Sequence, residues 1–149
     1  MKVADILRTK ESRVVTVRSG ENIEEAIRLM KAENISALVV KDVCRTEGNA
    51  VAGMLSERDI VYALLERGAS VLKTPVFMLM SRTIQTCTPD DTIQHALELM
   101  TTHHIRHLPV LDGATLVGVI SARDLTKLQL QEMTGHARQV PPEAPVYAH

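Results

Sequence analysis

The octapeptide GMLSERDI at 53–60 returns as GVISARDL at 118–125. Gly, Ser, Arg and Asp keep their places, and the other positions are apolar in both copies except Glu57 against Ala122. A mixed polar and apolar pattern rarely recurs by chance at that fidelity. The chain is therefore constrained to a fold made of two like units. The likeness extends upstream. With residue 14 set on residue 84, the stretch 14–40 falls on 84–110, and Thr16, Ile23, Ala26, Leu29, Met30, Ile35, Leu38 and Val40 match identically. The octapeptides are 65 residues apart rather than 70, so the first copy carries five extra residues within KDVCRTEGNAVA, 41–52. A hairpin loop absorbs such an insertion at small entropic cost.

Each copy is predicted as a β-α-β-β-α unit, which places the chain in the mixed α/β (α+β) class. In the second copy, Ile84 to Cys87 is predicted as a short strand, closed by Pro89-Asp90-Asp91-Thr92. Ile93, Ala96, Leu97 and Met100 then follow the i, i+3, i+4, i+7 spacing of one buried helix face, as do Ile23, Ala26, Ile27 and Met30 in the first copy. A strand over His107 to Leu111, a turn at Asp112-Gly113 and a return strand over Leu116 to Ile120 complete a hairpin. Ser121 opens a last helix with Leu125, Leu128 and Met133 on one side. Its counterpart carries Ile60, Val61, Leu64 and Leu65 and stops at Gly68. A unit of about 55 residues hardly buries a core alone. Two such units facing each other across a pseudo-two-fold axis do. The expected organisation is repeat 1 over 1–68, a linker over 69–75, repeat 2 over 76–133, and a loosely ordered tail over 134–149 that could lie as an arm on a partner subunit.

Composition narrows the function. The 17 basic and 18 acidic residues are well mixed and leave a formal charge of -1, without the basic face expected of a nucleic-acid binder. One Phe, two Tyr and no Trp leave few stacking platforms for single strands. No apolar run approaches the ~18 residues of a membrane span, and the N-terminus lacks the apolar stretch of a signal peptide. A cytoplasmic protein is expected, with Cys44 and Cys87 as free thiols. No Walker pattern, GxGxxG or nucleophile–base pair stands out, so the chain is not expected to be an enzyme. His103, His104 and His107 invite a metal reading, but the stretch runs from a helix end into a strand and no second ligand cluster follows. The seven Met residues fit core filling.

The Ser-x-x-Asp spacings, Ser56 to Asp59 and Ser121 to Asp124, have two compatible readings. Each resembles a capping box, with Asp where Glu or Gln is commoner. Each also marks a helix N-terminus whose free N–H groups suit a phosphate. Arg58 and Arg123, within the same first turns, are either solvated or aimed as planar forks at an anion.

Taken together, the ordered motifs resemble the CBS domain, named from cystathionine beta-synthase. They are a strand, then Pro-Asp-Asp-Thr-Ile-x-x-Ala, then His-Leu-Pro-Val-Leu-Asp, then Gly-hydrophobic-hydrophobic-Ser-x-Arg-Asp. Two in tandem form a CBS pair, or Bateman module, and the resemblance spans residues 1 to about 133, as in stand-alone bacterial proteins of this type. Val39, where Pro is usual, and Ser19-Gly20-Glu21, where Pro-Asp-Asp is usual, depart from the pattern, which implies two clefts that need not bind equally.

The resemblance implies a regulatory sensor that binds an adenosine ligand in clefts between the repeats, with AMP foremost, then NAD(H), ATP or S-adenosylmethionine. It implies a homodimer that signals to a protein partner by a conformational shift. Asp59 and Asp124 would accept from ribose hydroxyls, and Ser56, Ser121, Arg58 and Arg123 would meet phosphate or ribose oxygens. Ile84, Ile105, Arg106 and His107 would complete the cleft of Asp59. Val14, Ile35, Ser36 and Ala37 would complete that of Asp124. The apolar members would sandwich adenine, or else serve only as core. Ser36 stands opposite Arg106 in the alignment, so the Asp59 cleft is expected to be the more positive and to prefer phosphorylated ligands. The alternative from another class is a constitutive interaction scaffold with vestigial clefts.

Overall fold

The structure is a computed structural model and describes residues 1–10, 14–44 and 48–137. In chain order the elements are α1 (Val3–Thr9), β1 (Thr16–Arg18), α2 (Ile23–Glu33), β2 (Ala37–Cys44), β3 (Gly48–Ser56), α3 (Glu57–Arg67), α4 (Ile93–His103), β4 (His107–Asp112), β5 (Thr115–Ser121) and α5 (Ala122–Ala137). Two 3-10 segments, Gly68–Lys73 and Val76–Met78, lie between α3 and α4. β1 runs parallel to β2, and β2 antiparallel to β3. β4 and β5 form a second antiparallel sheet.

The duplication shows in the irregular features as well as the regular ones. The β2–β3 ladder shifts register between Val40 and Lys41, and the β4–β5 ladder between Val110 and Leu111, the equivalent position. α2 ends on Asn34 and α4 on His104, both left-handed with φ of 54°. Asn tolerates that conformation readily. His104 holds it as the corresponding helix cap, which gives one of the clustered histidines a backbone role. Gly113, with φ of 63°, turns the β4–β5 hairpin as expected.

One expected strand is absent. Ile84 to Cys87 contributes a single parallel bridge, Cys87 to Val110. In the first repeat the ladder continues when the Ser19 N–H donates to the Lys41 carbonyl at 3.2 Å. Pro89 stands in the equivalent place and has no N–H to give, so the pairing stops.

The two halves exchange their leading segments. α1 precedes the first repeat but packs on the second: Val3 and Ile6 are buried with Cys87, Ala96, Met100, Leu108, Val110, Ile120 and Leu125. Val71, in the segment expected to be a linker, and Val76, expected to open repeat 2, belong to the first: both are fully buried with Val17, Ile23, Ala26, Leu38 and Ile60. The backbone clasps are equivalent. The Val3 N–H donates to Asp91 and that of Ala4 to Pro89, each at 2.9 Å; Val76 donates to Glu21 at 2.8 Å and Phe77 to Ser19 at 3.1 Å. The boundary expected at 68/69 is therefore a covalent crossing between two cores that each draw on both ends. Each fully buried Val contributes roughly 1.5–3 kcal/mol by removal from water.

The C-terminal expectations need adjustment. α5 continues to Ala137, past Thr134 where the tail was expected to begin, and Met133 is exposed rather than packed beside Leu125. Residues 138–149 of that tail lie outside the described residues, as does the side chain of Cys44. Cys87 is a buried free thiol.

The octapeptide glycines explain their own identity through these crossings. A Cβ on Gly53 would meet the Ser81 carbonyl oxygen at 2.4 Å, and one on Gly118 would meet Leu7 Cδ2 at 2.6 Å. The first obstacle is backbone, held by reciprocal Met54–Ser81 hydrogen bonds of 3.0 and 2.8 Å. The second is the end of a flexible side chain. Gly53→Ala is therefore expected to cost about 1–3 kcal/mol, Gly118→Ala less, and Gly20→Ala, with nothing within 4 Å, close to nothing. Urea midpoints at constant slope check the ranking. Equal midpoints for the Gly53 and Gly20 variants would remove the steric account.

Candidate functional site

Ser56 and Ser121 end β3 and β5 and begin α3 and α5, so strand register sets where each helix starts. Ser56 donates its N–H to Asp59 Oδ2 at 2.9 Å, and Asp59 returns its N–H to Ser56 Oγ at 3.3 Å. The second copy repeats this, with Ser121 N–H to Asp124 Oδ2 at 2.8 Å and Asp124 N–H to Ser121 Oγ at 3.1 Å. The capping reading of Ser-x-x-Asp is thus a fact of the structure. It leaves the ligand reading open, because Oδ1 of each carboxylate has no hydrogen bond among the described residues.

Both helix starts open onto clefts between the repeats. The first, about 520 Å³, is lined by Ser56, Arg58 and Asp59 from one repeat and by Ile84, Ile105, Arg106 and His107 from the other. The second, about 510 Å³, is lined by Ser121, Arg123 and Asp124 together with Val14, Ile35, Ser36 and Ala37. Both groupings expected from the sequence are brought together. The volumes fall within the range of small-molecule sites.

The starts of β2 and β4 meet between the clefts. Ser36, Ala37, Arg106 and His107 line both cavities, and Ser36 Oγ lies 3.3 Å from His107 Nε2. The expected charge asymmetry changes accordingly. Arg106 does not mark the Asp59 cleft alone, because it stands at the shared wall. The Asp124 cleft also holds a cation that sequence reasoning missed: Lys10, at the end of α1, donates to Asp124 Oδ2 at 3.0 Å and to the Val119 carbonyl at 2.6 Å. Its signal was faint. The equivalent backbone clasps set Val3, Ile6 and Leu7 on Val76, Leu79 and Met80, and Lys10 on Thr83, a shift of 73 that the 70-residue offset of the downstream repeat does not reveal. Met54, Ser81, Thr83, Gln85, His103 and His104 likewise line the Asp59 cleft without having been singled out for it. Among the described residues no three His, Cys, Asp or Glu side chains are grouped to hold a metal ion.

The electrostatics follow from these neighbours. Burial penalises the charged form of Asp124, but the Lys10 hydrogen bond and charge and the Ser121 donors outweigh it and hold the carboxyl below its ordinary value. Burial lowers His107, Lys10 and Arg106 lower it further, and Asp124 only partly opposes them. Burial, with a smaller push from Asp91, raises Cys87 to about 12, which keeps a protonated and unreactive thiol. The site thus offers, in each cleft, a carboxylate at a helix N-terminus beside an arginine and apolar walls. That set suits a molecule with a diol, an anionic group and a flat apolar portion.

Comparison with known proteins agrees with the duplication. The family model for the CBS domain matches residues 3–66 and again 76–131. A CBS domain-containing protein of Bacillus subtilis, YhcV, is 35% identical over 130 residues, 87% of this chain and 89% of its own length. The solved CBS-domain protein ATU1752 of Agrobacterium tumefaciens is 35% identical and superposes with a TM-score of 0.79, covering 86% of this chain and 92% of that one. The CBS domain pair of protein MJ0100, solved in complex with 5'-methylthioadenosine and S-adenosyl-L-methionine, is 25% identical with a TM-score of 0.76, covering 89% and 98%.

The lowered His107 and Asp124 values set a pH dependence of stability. His107 takes a proton more readily unfolded than folded, so its contribution is complete above about 6.5 and declines as pH falls below that value. Asp124 contributes above about 3.8, and that share is lost as pH falls through its lower folded value. Urea midpoints are expected to fall from pH 7 to pH 5, with His107→Gln flattening that slope. An unchanged slope in the variant would assign the dependence elsewhere.

Proposed function

The chain belongs to the CBS-domain family as a tandem pair, and on that premise we propose that it is a regulatory sensor of an adenosine ligand. The observation that carries the proposal is the placement of two Ser-x-Arg-Asp helix starts, each facing walls from the opposite repeat across a cleft of ligand size. A ribose diol donates to the Asp carboxylate in charge-assisted bonds, which are the strong class. Phosphate meets the free N–H groups and arginine of the helix start. Adenine lies between aliphatic walls that include Ile84 and Ile105 in one cleft and Val14 and Ile35 in the other. The complex of MJ0100 with two adenosine derivatives supports the ligand class. AMP is the first candidate here, followed by NAD(H), ATP and S-adenosylmethionine. No catalytic step is assigned to the chain.

Signalling follows from cleft construction. A ligand touching both repeats favours one relative placement of them, by its difference in affinity for the two states. A protein partner reads the resulting surface. No helix among the described residues is long and apolar enough to cross a membrane. Oligomerisation is proposed through α3, where Val61, Tyr62 and Leu65 are 56%, 60% and 86% exposed. Three large apolar side chains on one solvent-facing helix suit burial against a second copy.

Two measurements test this. In calorimetric titrations with AMP, ATP, NADH and S-adenosylmethionine, Asp59→Ala or Asp124→Ala is expected to weaken binding about 10- to 100-fold, the value of about 1.5–3 kcal/mol for one charge-assisted bond. Absence of binding by every ligand, with purified protein free of nucleotide absorbance, would favour the scaffold reading. In sedimentation, the wild type is expected as a dimer and Leu65→Glu as a monomer. A variant that remains dimeric would move the interface away from α3.

A further inference from the structure

The two clefts differ in how their carboxylates are held before any ligand arrives. Asp59 Oδ2 accepts from the Ser56 N–H and from the Ser56 hydroxyl, both at 2.9 Å. A hydroxyl rotates away at little cost. Asp124 Oδ2 accepts from the Ser121 N–H at 2.8 Å and from the Lys10 ammonium at 3.0 Å. The Lys10 and Asp124 side chains are only 28% and 21% exposed, so solvent screens this pair incompletely. A second hydrogen bond of 2.6 Å to the Val119 carbonyl fixes the ammonium. Lys10 itself lines the cleft wall beside Ser121, Arg123 and Asp124. It therefore occupies the acceptor that a bidentate diol would use. Among the described residues no cation stands at the equivalent point of the Asp59 cleft, where Thr83 falls once Val3 is set on Val76.

We propose that Lys10 makes the Asp124 cleft selective for anionic ligands, whereas the Asp59 cleft also admits uncharged nucleosides. This rests on the adenosine-ligand reading and assigns different ligand charges to its two clefts. A neutral nucleoside whose diol engages both oxygens of Asp124 must take Oδ2 from Lys10 and leave an ammonium without its anion in a half-buried site, which is costly. A ligand bearing a phosphate or carboxylate offers the displaced ammonium a new partner. Lys has the means to make this exchange, because its charge sits on a flexible four-carbon stem with three rotatable donors. The lowered value of Asp124 agrees with an ion pair that a ligand has to replace.

The test compares AMP with adenosine by calorimetry in an Asp59→Ala background, which leaves the Asp124 cleft as the one measured. Lys10→Met keeps most of the stem and removes the charge, and Lys10→Arg keeps the charge. The AMP-over-adenosine preference is expected to fall about tenfold in Lys10→Met, with adenosine binding more tightly than before, and to be retained in Lys10→Arg. Tighter adenosine binding is the distinguishing sign, since mere structural damage weakens both ligands. An unchanged ratio in a variant of normal thermal stability overturns the proposal, as does weakening of both ligands alike. Failure of wild type and variants to bind either ligand overturns the adenosine reading itself, and the assignment to Lys10 with it.

Discussion

The reciprocal exchange of leading segments is the constraint on which the rest of the molecule depends. Each repeat leaves one side of its core open, and each opening is filled by the chain that leads into the other repeat. Val3 and Ile6 close the second core, Val71 and Val76 the first. Matching backbone bonds bind α1 to the 89–91 turn and the 76–77 segment to the 19–21 turn. A single repeat would lack these contributions. The two are therefore committed to each other by covalent crossing as well as by contact. The clefts between them inherit walls whose separation is set by packing.

The same crossing positions the cleft-facing groups. Gly53 and Gly118 lie where segments from the exchanged ends press against β3 and β5, three residues before the serines that begin the helices. Strand pairing then fixes those serines against the partner hairpin strand, Ser56 opposite Ala37 and Ser121 opposite His107. Backbone bonds from Glu57 to Ser36 and from Ala122 to Arg106, at 3.0 and 2.8 Å, tie each helix start to the strand entry beside it. The carboxylates are consequently held by their own helix caps before a ligand binds. Preorganisation of that kind lowers the ordering cost of binding.

Much of this was legible in the residues because the duplication supplied an internal control. Ile23, Ala26 and Met30, with Ala96 and Met100, are buried as their spacing required. The residues grouped around Asp59 and around Asp124 do meet there. The departures have local causes. Ile84 to Cys87 has strand-like composition, but Pro89 removes the donor that would prolong its ladder. ASVLKTP looks like a linker by its polar ends, yet Val71 is drawn into a core by the crossing. Met133 is expected on the same side of the helix as Leu125 and Leu128, but it is 66% exposed. Lys10 was hidden because its partner is 114 residues away, and ion pairs at that separation leave no periodic trace.

Some of the positions that differ between the repeats face the clefts. Core positions tolerate little change, since both halves must fill similar volumes against similar sheets. At the shared wall the constraint is weaker: Ser36 stands for Arg106 and Ala37 for His107; beside it, Thr83 lines one cleft and Lys10 the other. Each difference adds hydrogen-bonding or charge on the side of the second repeat's leading strand or of α1. His107 is held toward its neutral form by burial and by the Lys10 and Arg106 cations. It can therefore accept from the Ser36 hydroxyl across the axis instead of adding a third charge. The asymmetry is thus a small network, Ser36–His107 on one side and Lys10–Asp124 on the other, built on a symmetric frame. Lys10, Arg106 and Asp124 all act on His107, whose imidazole lines both clefts. The two clefts share the wall that Ser36, Ala37, Arg106 and His107 form.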